Sequence, residues 1–294
     1  MDAPVTVSHA AAPSVLHLRS AIPADHPSAA VLGEERRGTA VAVGPHQALT
    51  AHYLVLGARA MSVVDREGRS RHVRSKAIHH ESGLALLQLE GSELPAVRFG
   101  SAAAPGLPVF LLASDGAGEQ KGATGHITTI GPFEAFWEYM LDYAIMTTAV
   151  NPGLAGAPLF DPQGRVIGIV SLGLAAVGRY SLAIPIDLFL RNRPVLESGQ
   201  PPDSPHAWVG FYPQVQDEAV VLTGIVPGGP ADRAGLERGD VVLSIDGKPV
   251  STLRELYSEL WSHSPGDDFR LHVLRDGELR LQQVVAGNRY EFYA

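Results

Sequence analysis

The stretch Gly224-IVPGGPADRAGLERGDVVLSIDGKP-Val250 decides the fold of the C-terminal part of this chain. An apolar run, Ala219–Val226, reads as a strand and is stopped by Pro227-Gly228-Gly229. Ala231–Leu236 reads as a short helix that Gly235 caps, because glycine takes a left-handed conformation without a Cβ clash. Gly239 turns the chain. Val241–Ile245 and Lys248–Val250 then form a hairpin across Asp246-Gly247, a pair suited to a type I′ turn. Downstream, Ser251 or Thr252 caps a helix reaching about Ser262, with Glu255 near the capping-box position. Phe269, Leu271 and Val273 alternate with Arg270 and His272, and Asp276-Gly277 turns the chain into Leu279 and Leu281. Residues 206–290 therefore read as a small mixed α+β domain.

Upstream, Arg193-PVLESGQPPDS-Pro205 is rich in Pro, Ser and Gly and reads as a linker over 193–205. A helix is expected from Pro185 to Arg193. Residues 13–192 alternate short apolar runs with Gly, Pro, Asp and Ser: Thr39–Val43, Ala60–Val64, Leu84–Leu89, Val109–Ala113, Ile145–Val150 and Val166–Val170. That spacing predicts an all-β sandwich or barrel. Residues 1–12 read as an N-terminal extension.

Bulk composition agrees. With 294 residues, 45% hydrophobic and 18% charged, the chain is globular and long enough for two or three domains. A net charge of −8 and the lack of a basic stripe argue against nucleic acid as a partner. Without cysteine there is no disulfide, Cys-ligated metal or Cys nucleophile. No apolar run approaches the roughly 18 residues that span a bilayer. The start, MDAPVTVSHAAAP, lacks the basic end and apolar run of a signal peptide. No cofactor is expected.

Trp208-Val209-Gly210-Phe211 followed by Gly224–Val250 resembles a bacterial PDZ domain. The resemblance implies that Val209, Gly210 and Phe211 present backbone N–H groups to a peptide's terminal carboxylate. It also places Leu253, Leu256, Tyr257 and Leu260 near the groove helix, where Leu256 and Leu260 fit the core as well as the groove. A PDZ domain after a β-rich module is similar to the HtrA/DegP family of trypsin-like serine proteases. That likeness is carried by Gly38-TAVAVGPHQALTAHYL-Val55, His80-ESGLALLQ-Leu89, Asn151-PGLAGAPLFDPQGRVIG-Ile169 and Tyr180-SLAI-Pro185. The fold it implies is mainly β: a trypsin-like double β-barrel followed by a small α+β PDZ domain. The partner would be a peptide or protein C-terminus or an extended segment, and the location periplasmic or otherwise exported. Relatives are often trimers joined through N-terminal segments. Nothing in this N-terminal stretch separates trimer from monomer, so a homo-oligomer stays open.

The family's triad positions carry Tyr53, Gly83 and Ala155 here. A phenol of pKa about 10 is a poor general base at neutral pH, glycine has no carboxylate and alanine no nucleophile. The chain is therefore expected not to be an enzyme but a pseudoprotease scaffold or adaptor, with the N–H groups of Gly153 and Ala155 as a remnant oxyanion hole. Two alternatives are a weak protease depending on His52 or Glu81, and a metal-binding protein using His79 or His80. Adjacent histidines on a strand point to opposite faces, so no metal site is expected. Phe133, Phe136, Trp137 and Tyr139 form an aromatic segment that either meets a partner or packs over the altered triad. Asp65, Glu67, Arg66 and Arg69 read as an ordinary hairpin tip.

Overall fold

The computed structural model describes residues 11–101, 104–116, 120–174 and 178–294, so most of the expected N-terminal extension lies outside the described residues. The chain forms two compact units, Met1–Gly131 with Asp142–Gln200, and Pro132–Leu141 with Pro201–Ala294.

In the first unit, β1 (Val15–Ala21), β2 (Glu35–Gly44), β3 (Gln47–Ala51), β4 (Ala60–Val64), β5 (Ser70–His79) and β6 (Leu84–Leu89) close a barrel in the order β1-β2-β3-β6-β5-β4. Closure leaves no open edge and buries alternate side chains inward. Leu16, Leu18, Ala40, Ala42, Ala48, Val63, Ala85 and Leu87 make that core. A second closed barrel uses β7 (Pro108–Ser114), β8 (Gln120–Ala135), β9 (Tyr139–Thr147), β10 (Pro158–Phe160), β11 (Val166–Gly173) and β12 (Ser181–Pro185) in the order β10-β11-β12-β9-β8-β7. The strands expected at 60–64 and 84–89 have those bounds. The run 145–150 is cut at Thr147, where the Ala149 N–H turns onto Thr147 Oγ1.

Helix α1 (Ile186–Ser198) continues beyond Arg193, which corrects the expected start of the linker. Phe189 and Leu196 bury one face of it. Pro194 is tolerated within the helix: the Leu190 carbonyl, which its missing N–H would have met, belongs to a residue 41% exposed to water. Gly199, at φ 70°, ends the helix in the left-handed region. Among the described residues no helix is long and apolar enough to cross a membrane.

In the second unit, β14 (Phe211–Gln216), β15 (Ala219–Ile225), β16 (Val241–Ile245), β18 (Asp268–Arg275) and β19 (Glu278–Val285) line up in the order β14-β15-β16-β18-β19, with β17 (Lys248–Pro249) on β16. The local readings hold. Asp246 and Gly247 have φ 47° and 80°, Asp276 and Gly277 have 53° and 81°, as type I′ turns require. Thr252 makes a full capping box with Glu255 at the start of α3 (Leu253–Leu260). The short helix α2 is Pro230–Arg233, with Gly235 left-handed beyond it. β13 (Ala207–Trp208) pairs with β20 (Gly287–Asn288), and Trp208 packs on Phe292 and Tyr293, so the body extends past residue 290.

The β4–β5 hairpin tip is not an ordinary one. Asp65 is only 3% exposed and accepts from Arg71 Nη1 at 2.9 Å, Arg69 Nε at 2.8 Å and the amides of Glu67 and Arg69. Burial alone would push this carboxyl up, but the hydrogen bonds from Arg71 and Arg69 outweigh it and hold the pKa at about 2. Asp65→Ala leaves the buried Arg71 without its carboxylate and should cost about 3–5 kcal/mol in urea unfolding. The folded pKa lies below the unfolded value of about 3.9. The contribution is therefore complete above pH ~4 and lost as pH falls towards 2, and the variant should show a flatter acid limb in its stability–pH profile.

Candidate functional site

The loop between β13 and β14 is built around Gly210, at φ 83°, where a Cβ would sit 3.0 Å from the Trp208 ring. This conformation turns three successive amides to one point. Val209 N–H donates to Glu138 Oε2 at 2.9 Å, and Gly210 and Phe211 N–H donate to Glu138 Oε1 at 2.6 and 3.0 Å. Backbone donors converging in this way form a carboxylate cradle. The expected loop residues are thus brought together, on a carboxylate that belongs to the chain itself.

Glu138 sits at the tip of the hairpin 132–141, with φ 53°, a left-handed conformation uncommon for a residue with a Cβ. The side chain is 2% exposed. Burial pushes its pKa above the ordinary glutamate range, while Arg289 and the three amides pull against that shift. Around it, Arg289 donates to the carbonyls of Glu138 and Trp137 at 3.0 and 2.8 Å. Tyr257 on α3 donates its hydroxyl to Ala135 O at 2.5 Å and accepts from Glu138 N–H at 3.1 Å. Arg254 Nε meets Glu134 Oε1 at 2.6 Å, and Met140 packs on the hydrophobic core of this unit. The aromatic segment therefore belongs to the compact unit that holds the PDZ-like sheet, a placement neither sequence alternative foresaw.

Of the groove-helix residues, Leu256 and Leu260 are wholly buried in the core, Leu253 packs at its margin, and Tyr257 holds the hairpin. For Leu256 and Leu260, which fitted core and groove equally from sequence, the structure gives the core: on an eight-residue helix at this spacing they point into the sheet. Sequence reading missed Glu138, Arg254 and Arg289. Only the Glu beside the aromatic run Phe136-Trp137 hinted at a buried role.

The positions expected to correspond to a triad lie in three segments of the first unit. Tyr53 lies in the turn after β3, His52 N–H donates to Gly83 O at 2.9 Å, and Ala155 joins the first barrel's core, against which Tyr53 packs. The Tyr53 hydroxyl donates to Ser171 O at 2.6 Å. Burial pushes the phenol pKa up against that hydrogen bond, so the group stays neutral and acts as a donor. Of the two amides expected in a remnant oxyanion hole, that of Gly153 donates to Asn151 Oδ1 at 3.1 Å, as does Leu154 N–H at 2.9 Å, folding this segment into an Asx turn. Gly156, at φ 86°, passes so near β2 that a Cβ would lie 1.9 Å from Thr39 O.

His52, His79 and His80 each meet side chains near them. His79 Nδ1 lies 3.0 Å from Ser82 Oγ and its Nε2 3.7 Å from Glu81, while His80 meets the edge of His52 at 5.6 Å between ring centroids. Ser82 is 2% exposed and closes the turn before β6. Among the described residues no cluster of three His, Asp, Glu or Cys could hold an ion.

Residues 207–285 match the PDZ domain family, and residues 38–169 match the trypsin-like peptidase domain family. Two curated relatives carry the name "Probable periplasmic serine endoprotease DegP-like". The one from Halomonas elongata is 29% identical over 266 residues, covering 82% of this chain and 54% of the relative. The one from Ectopseudomonas mendocina is 28% identical over 222 residues, covering 70% and 46%. This chain spans about half the length of the curated relatives it matches. Among solved structures, "HtrA-type protease AlgW with tripeptide" is 26% identical, covers 96% of each chain and superposes with a TM-score of 0.59. These findings correct the expectation that the chain is not an enzyme, and with it the pseudoprotease reading. The matched domain is a peptidase domain, the relatives are named serine endoproteases, and the solved neighbour is an HtrA-type protease.

At the barrel cleft, Tyr53→Phe removes the donor to Ser171 O and should lower stability by about 1 kcal/mol, read as a shift in the urea midpoint at unchanged slope.

Proposed function

This chain is an HtrA-like protein, a trypsin-like peptidase domain followed by a PDZ domain, and we propose that it recognises the free C-terminus of a peptide or extended protein segment through Val209, Gly210 and Phe211. One observation carries this reading: three consecutive backbone N–H groups lie within 2.6–3.0 Å of a single carboxylate. A chain terminus is the carboxylate that every polypeptide offers. Charge-assisted bonds of this kind are about twice as strong as neutral ones.

The rest of a ligand would extend along β14, the terminal strand of its sheet. That strand contains Pro213, which suits an edge because it has no N–H to give a ladder. Strand addition there supplies main-chain hydrogen bonds, while side-chain contacts beside α3 supply selectivity. The relatives' names support a periplasmic setting, where unfolded and truncated chains present free termini.

The test is an array of decapeptides ending in each of the twenty residues, each with a free carboxylate or a C-terminal amide, read by fluorescence polarisation. Amidation removes a charge held by three donors, so the best free-carboxylate peptide should bind at least about 10-fold more tightly than its amidated twin. Gly210→Val, which cannot keep φ 83° and meets Trp208, should abolish that binding while circular dichroism stays unchanged. Equal binding of amidated peptides would refute recognition of the terminus.

A further inference from the structure

We infer that Glu138 is a built-in competitor of the ligand: the amides of Val209, Gly210 and Phe211 hold either the Glu138 side chain or an incoming peptide carboxylate, so peptide binding and release of the hairpin 132–141 are one coupled equilibrium. The inference rests on the peptide-recognition reading above and extends it to how that site is regulated.

The geometry is that of a ligand. Both Glu138 oxygens are engaged by the cradle, as a terminal carboxylate would be, and no room is left for a second anion on the same three donors. The backbone of the tip is also read by its surroundings. Arg289 takes the carbonyls of Trp137 and Glu138, and the Tyr257 hydroxyl bridges Ala135 O and Glu138 N–H. Tyr257 belongs to α3, the helix that borders the groove, so the hairpin spans the carboxylate loop and the groove helix together. Glu138 takes φ 53° at the turn of the hairpin, and that turn delivers its side chain to the cradle. Two features keep the contact reversible. The hairpin joins β8 to β9, whose remaining parts are held by pairing with β7 and β12. Arg254 and Glu134, which tether its base, are partly exposed, as suits an ion pair of modest strength.

A site that is competent only when its occupant is displaced binds with an apparent affinity reduced by the competent fraction. If the closed form makes up about 90–99% of molecules, removing the competitor should tighten binding about 10- to 100-fold.

The experiment uses the full chain and the decapeptide array described above. Glu138→Ala should bind the best free-carboxylate decapeptide 10- to 100-fold more tightly than the wild type. Glu138→Gln, which keeps the shape and loses the charge, should fall between the two. Without peptide, hydrogen exchange at the amides of Val209, Gly210 and Phe211 should speed up in Glu138→Ala. In the wild type, saturating peptide should instead speed exchange at the Glu138 amide as the hairpin leaves Tyr257. This wild-type arm holds even if a variant folds poorly. Equal affinities of wild type and both variants, with the Glu138 amide still protected at saturation, would overturn the competitor and leave peptide recognition standing. Failure of every array peptide to bind wild type and Glu138→Ala alike would overturn peptide recognition itself, and the competition with it.

Discussion

Removing a carboxylate from water carries a penalty of several kcal/mol that only well-placed donors or a cation can offset. The C-terminal unit is organised around one such group. Glu138 is buried, three successive amides replace its lost water, and Arg289 stands behind its carbonyl. The loop can supply those amides only because Gly210 takes a positive φ beside Trp208. Trp208 in turn is fixed by β13–β20 pairing and by Phe292 and Tyr293. The shape of the cradle is therefore set by contacts outside the carboxylate it holds.

The two barrels follow a different constraint. Their cores are filled by closed sheets of alternating residues, and their polar interior contacts are local closures: Thr50 Oγ1 on Thr39 O, Thr39 N–H on Ala155 O, and Gly156 N–H on Val170 O. Near Tyr53 and Ala155, the Tyr53 hydroxyl donates to Ser171 O, and Asn151 Oδ1 accepts from the amides of Gly153 and Leu154. The likeness to HtrA-type proteases lies in the barrel fold shared with them.

Much of the fold was legible because its instructions lie next to each other in the chain. Asp246-Gly247 and Asp276-Gly277 specify type I′ turns, Thr252 with Glu255 specifies a helix start, and alternation at Phe269, Leu271 and Val273 specifies a strand with one buried face. Val209-Gly210-Phe211 was legible as a donor loop only through its resemblance to a PDZ domain. Reading failed where a local rule met a tertiary exception. Pro194 sits inside α1 because an exposed turn absorbs its missing bond, and Asp65 at a charged tip is buried because Arg71 comes to it from the neighbouring strand.

By itself, then, the sequence determined a β-rich part and a small α+β domain, since turns, caps and alternation depend on residues a few positions apart, while the double barrel and the carboxylate loop came from resemblance to a family. Only the tertiary structure decided which carboxylate occupies that loop. Glu138 lies 71 to 73 positions from its donors, and nothing in the spacing of an acidic residue beside aromatics says where its charge will be satisfied. That answer depends on where β8 and β9 carry the hairpin and on how Tyr257 and Arg289 receive it. These are long-range contacts between surfaces that exist only once the chain has folded.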